Sequence, residues 1–527
     1  MHDLVIKNAI IIDGTGAPAR PGAIAVSGGR ITAVLEGAEA AGARGIDELD
    51  AAGRAVAPGF IDLHSHADFT IQGAPAAETQ LRQGVTTALV GNCGSSPFPT
   101  DSVETIRRAH SHLTPTLEGE WTDTAGFAAA IAQAGPGINV CLQVGLSAVR
   151  RFVVGSEERA ATSDEIAAMR AEIAKAAAQG ARGFSSGLIY APGSYSSREE
   201  MVALVGEAAR HGLLYSTHMR NEAGQVLEAV EEALATAEAA GARLEISHLK
   251  AMGPENHGKP AEALRLIEQA RERGVDVTAD VYPYTASSTN LNSRLPGWAL
   301  DGGKPALVER LRDPEQRRRI ASALAARFGR DVDPGGVVIA DVRRREGEPD
   351  WTWTIGRSLV DIGGREGCSP EEAAMRILEA HEGGVSIINH AMSPDDVEFV
   401  LRHPLVSVAS DGWTMTATGP GRPHPRSFGT FARVLGHYAR ERGTLGLEEA
   451  VRKMSSMPAS RIGLADRGEI REDAVADLVV FDPEAVGDRA TFQDPWQLAE
   501  GVEAVLLAGR FAIRDGELLP ERLGQVL

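Results

Sequence analysis

The sequence predicts a (β/α)8 barrel carrying a small β domain built from both chain ends and an insertion near the barrel mouth. Three observations predict it. Eight short apolar runs recur through the middle of the chain, Ala- and Glu-rich stretches with helical spacing separate several of them, and turn-punctuated strand patterns stand at both ends. Strand–helix alternation favours a parallel sheet with crossover helices, and eight such runs suit closure into a barrel. A doubly wound open sheet is the competing architecture. No G-x-G-x-x-G follows the first strand, which weakens a dinucleotide-binding version of it.

Residues 1–57 read as strands. LVIKNAIIIDGTG is a β-branched run ended by Asp13-Gly14, and AIAVSGGRITAVL is two alternating runs about Gly28-Gly29, a hairpin signal. Residues 467–527 repeat the texture in ADLVVFDP and VEAVLLAGRFAIRDGELL. One composite β domain from both termini is expected; two unrelated edge hairpins are the alternative. The barrel is expected over 58–284 and 346–466. Its runs are GFIDLHSH (59–66), TTALVGN (86–92), NVCLQVG (139–145), ARGFSSG (181–187), LLYSTHM (213–219), LEISHL (244–249), DVTADVYPY (276–284) and VSVASDG (406–412). Between them, TSDEIAAMRAEIAKAAAQGA and SREEMVALVGEAARHG each open on a Ser or Thr cap followed by an acid. Residues 285–345 are rich in Arg, Pro and Gly and break the alternation. They read as the insertion, with a helix around RRRIASALAARFG and a strand at GVVIADV. The further run VSIINH (385–390) leaves the eighth barrel strand open.

The chain has 527 residues, 53 Lys and Arg against 72 Asp and Glu, and a formal charge of −19. An acidic surface repels phosphate and anionic lipid, so neither nucleic acid nor a membrane is an expected partner. A small-molecule substrate is. An anionic one needs basic residues gathered at its site. Three cysteines (Cys93, Cys141 and Cys368) give no disulfide framework and suit a reducing compartment. With no signal-peptide pattern and no run of 18 apolar residues, the cytoplasm is the expected location.

The chemistry gathers at the strand ends. His64-Ser65-His66 closes the first run, and residues i and i+2 of a strand point to the same side. Carboxyl ends of barrel strands form the active face, so both imidazoles turn toward the mouth. An H-x-H pair also arises by chance in loops. Cys93 lies past the second run, His218 at the end of the fifth, His248 at the end of the sixth and Asp411 at the end of the eighth. Thiolate and imidazole are a natural zinc set, and wide spacing in sequence suits a catalytic rather than a structural ion. The rival for Cys93 is a nucleophile paired with His. For Asp411, which could take a proton from water and return it to a leaving amine, the rival is a turn residue before Gly412. Lys250, two residues past His248, should point into the mouth. Tyr190, Tyr282 and Ser287 offer hydroxyls, with packing as the alternative for Tyr190; Arg294 and Arg426 are further cations, although either one taken alone reads first as a solvated surface charge.

Together these segments resemble the amidohydrolase superfamily, and within it the N-acyl-D-amino-acid deacylases (D-aminoacylases). The resemblance rests on APGFIDLHSHAD, VGNCGSSPFP, ARGFSSGLIYAPGSYSS, THMRNE, EISHLKAMGPENHGK, DVYPYTASST, VASDG, HPRSFGTFARVLGHY and ADLVVFDP, which span nearly the whole chain. It implies a barrel with a small β-sandwich from both ends. It implies one tightly held Zn2+ on Cys93, His218 and His248, and a second, weaker position at His64 and His66 with Cys93 able to bridge. Asp411 would be the catalytic acid–base. Lys250, Tyr282 and Ser287 would take the substrate carboxylate, with Tyr190 and Arg294 as further contacts. Many superfamily members carry a carboxylated lysine on the fourth strand; GARGFSSGLIY has none. That departure fits hydrolysis of linear N-acyl-D-amino acids better than the alternative, a cyclic-amide hydrolase of the hydantoinase or dihydroorotase type.

Overall fold

The computed structural model describes residues 1–109, 117–342 and 349–527. Eight parallel strands form the barrel: Phe60–Asp62, Val85–Val90, Asn139–Gly145, Gly183–Gly187, Leu214–His218, Leu244–Ile246, Val277–Val281 and Val406–Val408, paired in that order. Each lies in one of the apolar runs, the second starting one residue earlier, at Val85. Nearly every residue in them is buried, as parallel strands covered by helices require. The last strand returns to the first through the Ser65–Gly412 bridge, with Asp411 N donating to His64 O at 2.7 Å and His66 N to Gly412 O at 2.8 Å. That closure decides between a barrel and an open sheet.

The crossover helices begin where their caps predict. Thr162 and Glu165 form a reciprocal capping box on helix Ser163–Ala178, and Ser197 accepts from Glu200 N at the start of Arg198–Arg210.

Both chain ends build one nine-stranded sheet. His2–Ile11 pairs antiparallel with Arg20–Ser27, which pairs with Arg30–Leu35 about the expected Gly28-Gly29 turn. Ala55–Pro58 joins the halves, pairing parallel with His2–Ile11 and antiparallel with Leu478–Phe481. Val502–Leu507 and Arg510–Arg514 extend it. At the far edge Ile31 N donates to Ala474 O at 2.9 Å, so the sheet curls back on itself. Leu4, Ile6, Ile24, Val56, Leu478, Val480 and Leu506 fill its interior.

The insertion is larger than 285–345. Ser386–His390 pairs antiparallel with both Ala286–Asn290 and Val337–Asp341 in a separate three-stranded sheet, and so is not a barrel strand. Leu359, Ile362, Met375, Leu378 and Ile387 pack with Leu307, Ile320, Leu324 and Ile339 in that unit's own core. Much of 346–390, read from sequence as barrel, therefore packs with the insertion. The 345/346 boundary itself lies outside the described residues. The helix Pro314–Arg327 and the strand Val337–Asp341 stand where the sequence places them. Among the described residues, no helix is long and apolar enough to cross a membrane.

Candidate metal centre and active site

Parallel strands bring their carboxyl ends to one face. His64 and His66 follow the first strand, Cys93 the second, His218 ends the fifth, His248 follows the sixth and Asp411 the eighth. Cys93, His248 and Asp411 have φ of 54°, 39° and 49°. Left-handed backbone costs a non-glycine residue roughly 1–3 kcal/mol. Here it turns the three side chains off the lines of their strands into one cluster. Asp411 is thus a turn residue before Gly412 and a member of the site together. Gly187, ending the fourth strand, leaves the Cys93 loop its room: a Cβ there would lie 2.0 Å from Cys93 O. No side chain fits at that point, lysine included.

Two overlapping groups of donor atoms result. His64, Cys93, His248 and Asp411 each offer an atom within 4.8 Å of the others, and His218, Glu222 and His248 do the same. Cys93 Sγ lies 3.3 Å from His64 Nε2 and 3.5 Å from His248 Nε2. Asp411 Oδ1 stands 3.5 Å from His64 Nε2 and 3.1 Å from His66 Nε2. The structure therefore sets His218 with Glu222 (3.3 Å) and shares His248 between the groups. Both ring nitrogens of His218 and Nδ1 of His64 are buried without a hydrogen-bond partner. Buried imidazole nitrogens left orphaned beside a thiol are what a zinc-class ion would satisfy, so the residues fit the metal.

Beside the cluster is a cavity of about 900 Å3 whose wall includes His66, Cys93, His218, His248, Lys250 and Asp411. Lys250 Nζ is held by Glu222 (2.6 Å), His248 Nδ1 (2.8 Å) and His248 O (2.9 Å). Ser287 lines the cavity and reaches Met252 Sδ at 3.9 Å. Tyr190 also lines it, with its ring edge-on to His218 and its hydroxyl 3.1 Å from Thr289 Oγ1. Tyr282 is set further back. Its ring lies beneath the Arg426 guanidinium (4.9 Å) and the Lys250 ammonium (5.7 Å), and its buried hydroxyl has no partner. Arg294 is 5% exposed and faces the cavity; it donates to Ser293 Oγ, and no carboxylate pairs with it among the described residues.

A family model for the amidohydrolase family matches residues 47–323 and 366–513. The chain is 36% identical over 513 residues to an N-acyl-D-glutamate deacylase of Alcaligenes xylosoxydans xylosoxydans, covering 96% of this chain and 93% of that one. The chain belongs to the amidohydrolase family. An N-acyl-D-aspartate deacylase of the same organism is also 36% identical, over 100% of this chain and 95% of its own. A solved N-acyl-D-glutamate deacylase from Bordetella bronchiseptica, complexed with zinc and a phosphonate mimic of the tetrahedral intermediate, superposes with a TM-score of 0.82 at 35% identity, covering 100% and 99% of the two chains.

The charges around this amidohydrolase cluster have clear causes. Burial holds His64 and His248 down at about 3, so both imidazoles are neutral acceptors near pH 7. Burial, reinforced by Asp411, pushes the Cys93 thiol well above its ordinary value. Burial also works against the Asp411 carboxylate, but Arg426 Nη1 lies 2.7 Å from Oδ2 and outweighs it, holding the group well below the usual range. Glu222 is depressed in the same way, with burial overcome by His218, Lys250 and His248.

Three contributions escape a sequence reading. Glu222 ties Lys250 to both histidines, and the only sequence signal is an acid four residues after a strand-end His in THMRNE. Asp280 accepts from the His248 backbone N at 2.7 Å, which fixes that turn, and its other oxygen faces His64 Nδ1 at 3.5 Å without a hydrogen bond. Arg426, a candidate for the substrate carboxylate, is instead engaged with Asp411.

Proposed function

We propose that the chain is a zinc-dependent deacylase of N-acyl-D-amino acids, with acidic D-amino acids such as D-glutamate and D-aspartate as its products. The observation that carries the reading is the gathering of Cys93, four strand-end histidines and Asp411 where the barrel closes. Cys93, His218 and His248 would hold the tightly bound ion, and His64 and His66 with bridging Cys93 the weaker one. Zinc bound there supplies Lewis acidity toward the amide carbonyl and toward water. Asp411, kept ionised and oriented by Arg426 and His66, takes the proton from water and passes it to the leaving nitrogen. Lys250, Tyr282 and Ser287 receive the α-carboxylate. Glu222 holds the Lys250 side chain in place. Tyr190 walls the site over His218. Arg294 supplies the cation that an acidic side chain needs: a buried guanidinium with no carboxylate of its own is a vacancy for the substrate's. The preference for D substrates is taken from the relatives' named substrates.

A turnover panel tests the reading. With zinc, N-acetyl-D-glutamate should be hydrolysed and N-acetyl-L-glutamate, hydantoin and dihydropyrimidine should not. Chelation should abolish the activity and zinc restore it. Activity on the cyclic amides alone would move the chain to the alternative chemistry. Arg294→Gln is expected to raise KM for N-acetyl-D-glutamate by about a hundredfold, with a smaller change in kcat. Equal losses on N-acetyl-D-glutamate and on a neutral substrate would remove Arg294 from side-chain recognition.

Zinc loading has a proton signature. Near pH 7 the Cys93 thiol starts protonated and the His64 and His248 rings start neutral, so binding through the thiolate releases about one proton per ion. Zinc affinity should accordingly rise as pH rises. Calorimetry in two buffers of different ionisation enthalpy measures the release, and a value near zero would exclude Cys93 as a ligand.

A further inference from the structure

On the cavity wall away from the metal cluster, Ser147 and Arg151 stand out among the described residues for having no side-chain partner. Ser147 and Arg151 lie on the helix Leu146–Val153, which follows the third barrel strand. Residues four apart share a helix face, and both of these line the cavity. Ser147 is 6% exposed, and its buried hydroxyl makes no hydrogen bond among the described residues. Arg151 is half-buried and makes no hydrogen bond, ion pair or ring contact among the described residues. Its neighbour Arg150 shows the contrast: fully buried, it is bound to Glu200 at 3.1 Å. A hydroxyl and a guanidinium, both unsatisfied on one face of a cavity, make an anion site.

Their place in the barrel says which part of a substrate they meet. In a ring of eight strands, the second and third stand across the axis from the sixth and seventh. Lys250 and Ser287 belong to the sixth- and seventh-strand side. Ser147 belongs to the opposite side and abuts the Cys93 turn: its N donates to Gly94 O at 2.8 Å, and a Cβ on Gly94 would lie 3.3 Å from Ser147 Oγ. With the α-carboxylate at Lys250 and the amide carbonyl at the Cys93–His248 cluster, the reading on which this inference rests, the acyl chain runs toward Ser147 and Arg151. We infer that Ser147 and Arg151 form a second anion subsite, which selects acyl groups ending in a carboxylate. The preferred substrates are then N-(carboxyacyl)-D-amino acids, of which an N-succinyl-D-amino acid is the simplest. The hydroxyl of water goes to the acyl carbon and its proton to the nitrogen, releasing a dicarboxylate and the D-amino acid. Ser147 and Arg151 hold the distal carboxylate and take no part in the bond exchange.

The test compares N-succinyl-D-glutamate with its N-succinamoyl analogue, which differs only by a terminal amide, on the zinc-loaded protein. We expect kcat/KM to favour the succinyl compound about tenfold. The ratio should fall toward one in Arg151→Gln and persist in part in Arg151→Lys. Arg151→Glu should instead favour N-(4-aminobutanoyl)-D-glutamate. Calorimetric titration of succinate against butyrate gives a readout free of turnover: succinate binds tighter to the unaltered protein and no tighter to Arg151→Gln. A ratio of one or below in the unaltered protein, or an Arg151→Gln variant that slows every acyl group by one common factor, overturns the subsite. Failure to hydrolyse N-acetyl-D-glutamate would sink the deacylase reading instead, and the succinate–butyrate comparison would still decide the subsite.

Discussion

Asp411→Asn is expected to retain its zinc and to lose about a thousandfold in kcat. The substitution keeps the shape of the side chain and its left-handed turn before Gly412, so the barrel closure through Asp411 N and His64 O survives. An amide oxygen can still accept from Arg426. What disappears is a group able to accept a proton from water and return it to nitrogen. KM should change far less, because Lys250, Ser287 and Arg294 are untouched. Metal content by atomic spectroscopy and a kcat–KM split check both halves. Full metal with near-normal kcat would remove Asp411 from proton transfer, and loss of metal would make it chiefly a ligand.

Cys93→Ala is expected to weaken zinc binding by about a thousandfold or more and to abolish activity at ordinary zinc levels. The thiol touches His64 and His248, so its removal takes the shared corner out of both candidate positions. Cys141→Ala is the internal control. Cys141 is also buried, but it packs among Ile61, Leu63, Leu89 and Leu214 away from the cluster. Its loss should cost about 1 kcal/mol of packing and no metal. If the two variants bind zinc alike, the cluster is not held through Cys93.

The barrel was legible because each strand is a short apolar run, and the first, second, fifth, sixth and eighth lead into a residue type rarely spent on packing. His64, Cys93, His218, His248 and Asp411 stand at those ends; the structure gathers His64, Cys93, His248 and Asp411 in one group and links His218 to it through His248. The insertion's limit was not legible. Ser386–His390 has the apolar texture of a barrel strand, and only its antiparallel pairing with Ala286–Asn290 and Val337–Asp341 separates it. Glu222, and the role of Arg426 beyond that of a candidate cation, were hidden for another reason. Each acts through a contact between segments, Glu222 with Lys250 and Arg426 with Asp411, and neither stands in a run whose periodicity marks it. The fourth-strand lysine was legible as a gap, whereas the approach of the Cys93 carbonyl, which leaves no room for a side chain at Gly187, shows only in the structure.

The curled sheet has a cost during synthesis. Ala55–Pro58 leaves the ribosome early, yet one of its edges stays open until Leu478–Phe481 emerges. Val140 N likewise waits for Gln525 O. A nascent chain with its barrel strands already made still exposes apolar ribbon edges, the kind that pair with other copies. Termination before Leu478–Phe481 should therefore yield aggregates rather than a smaller working enzyme.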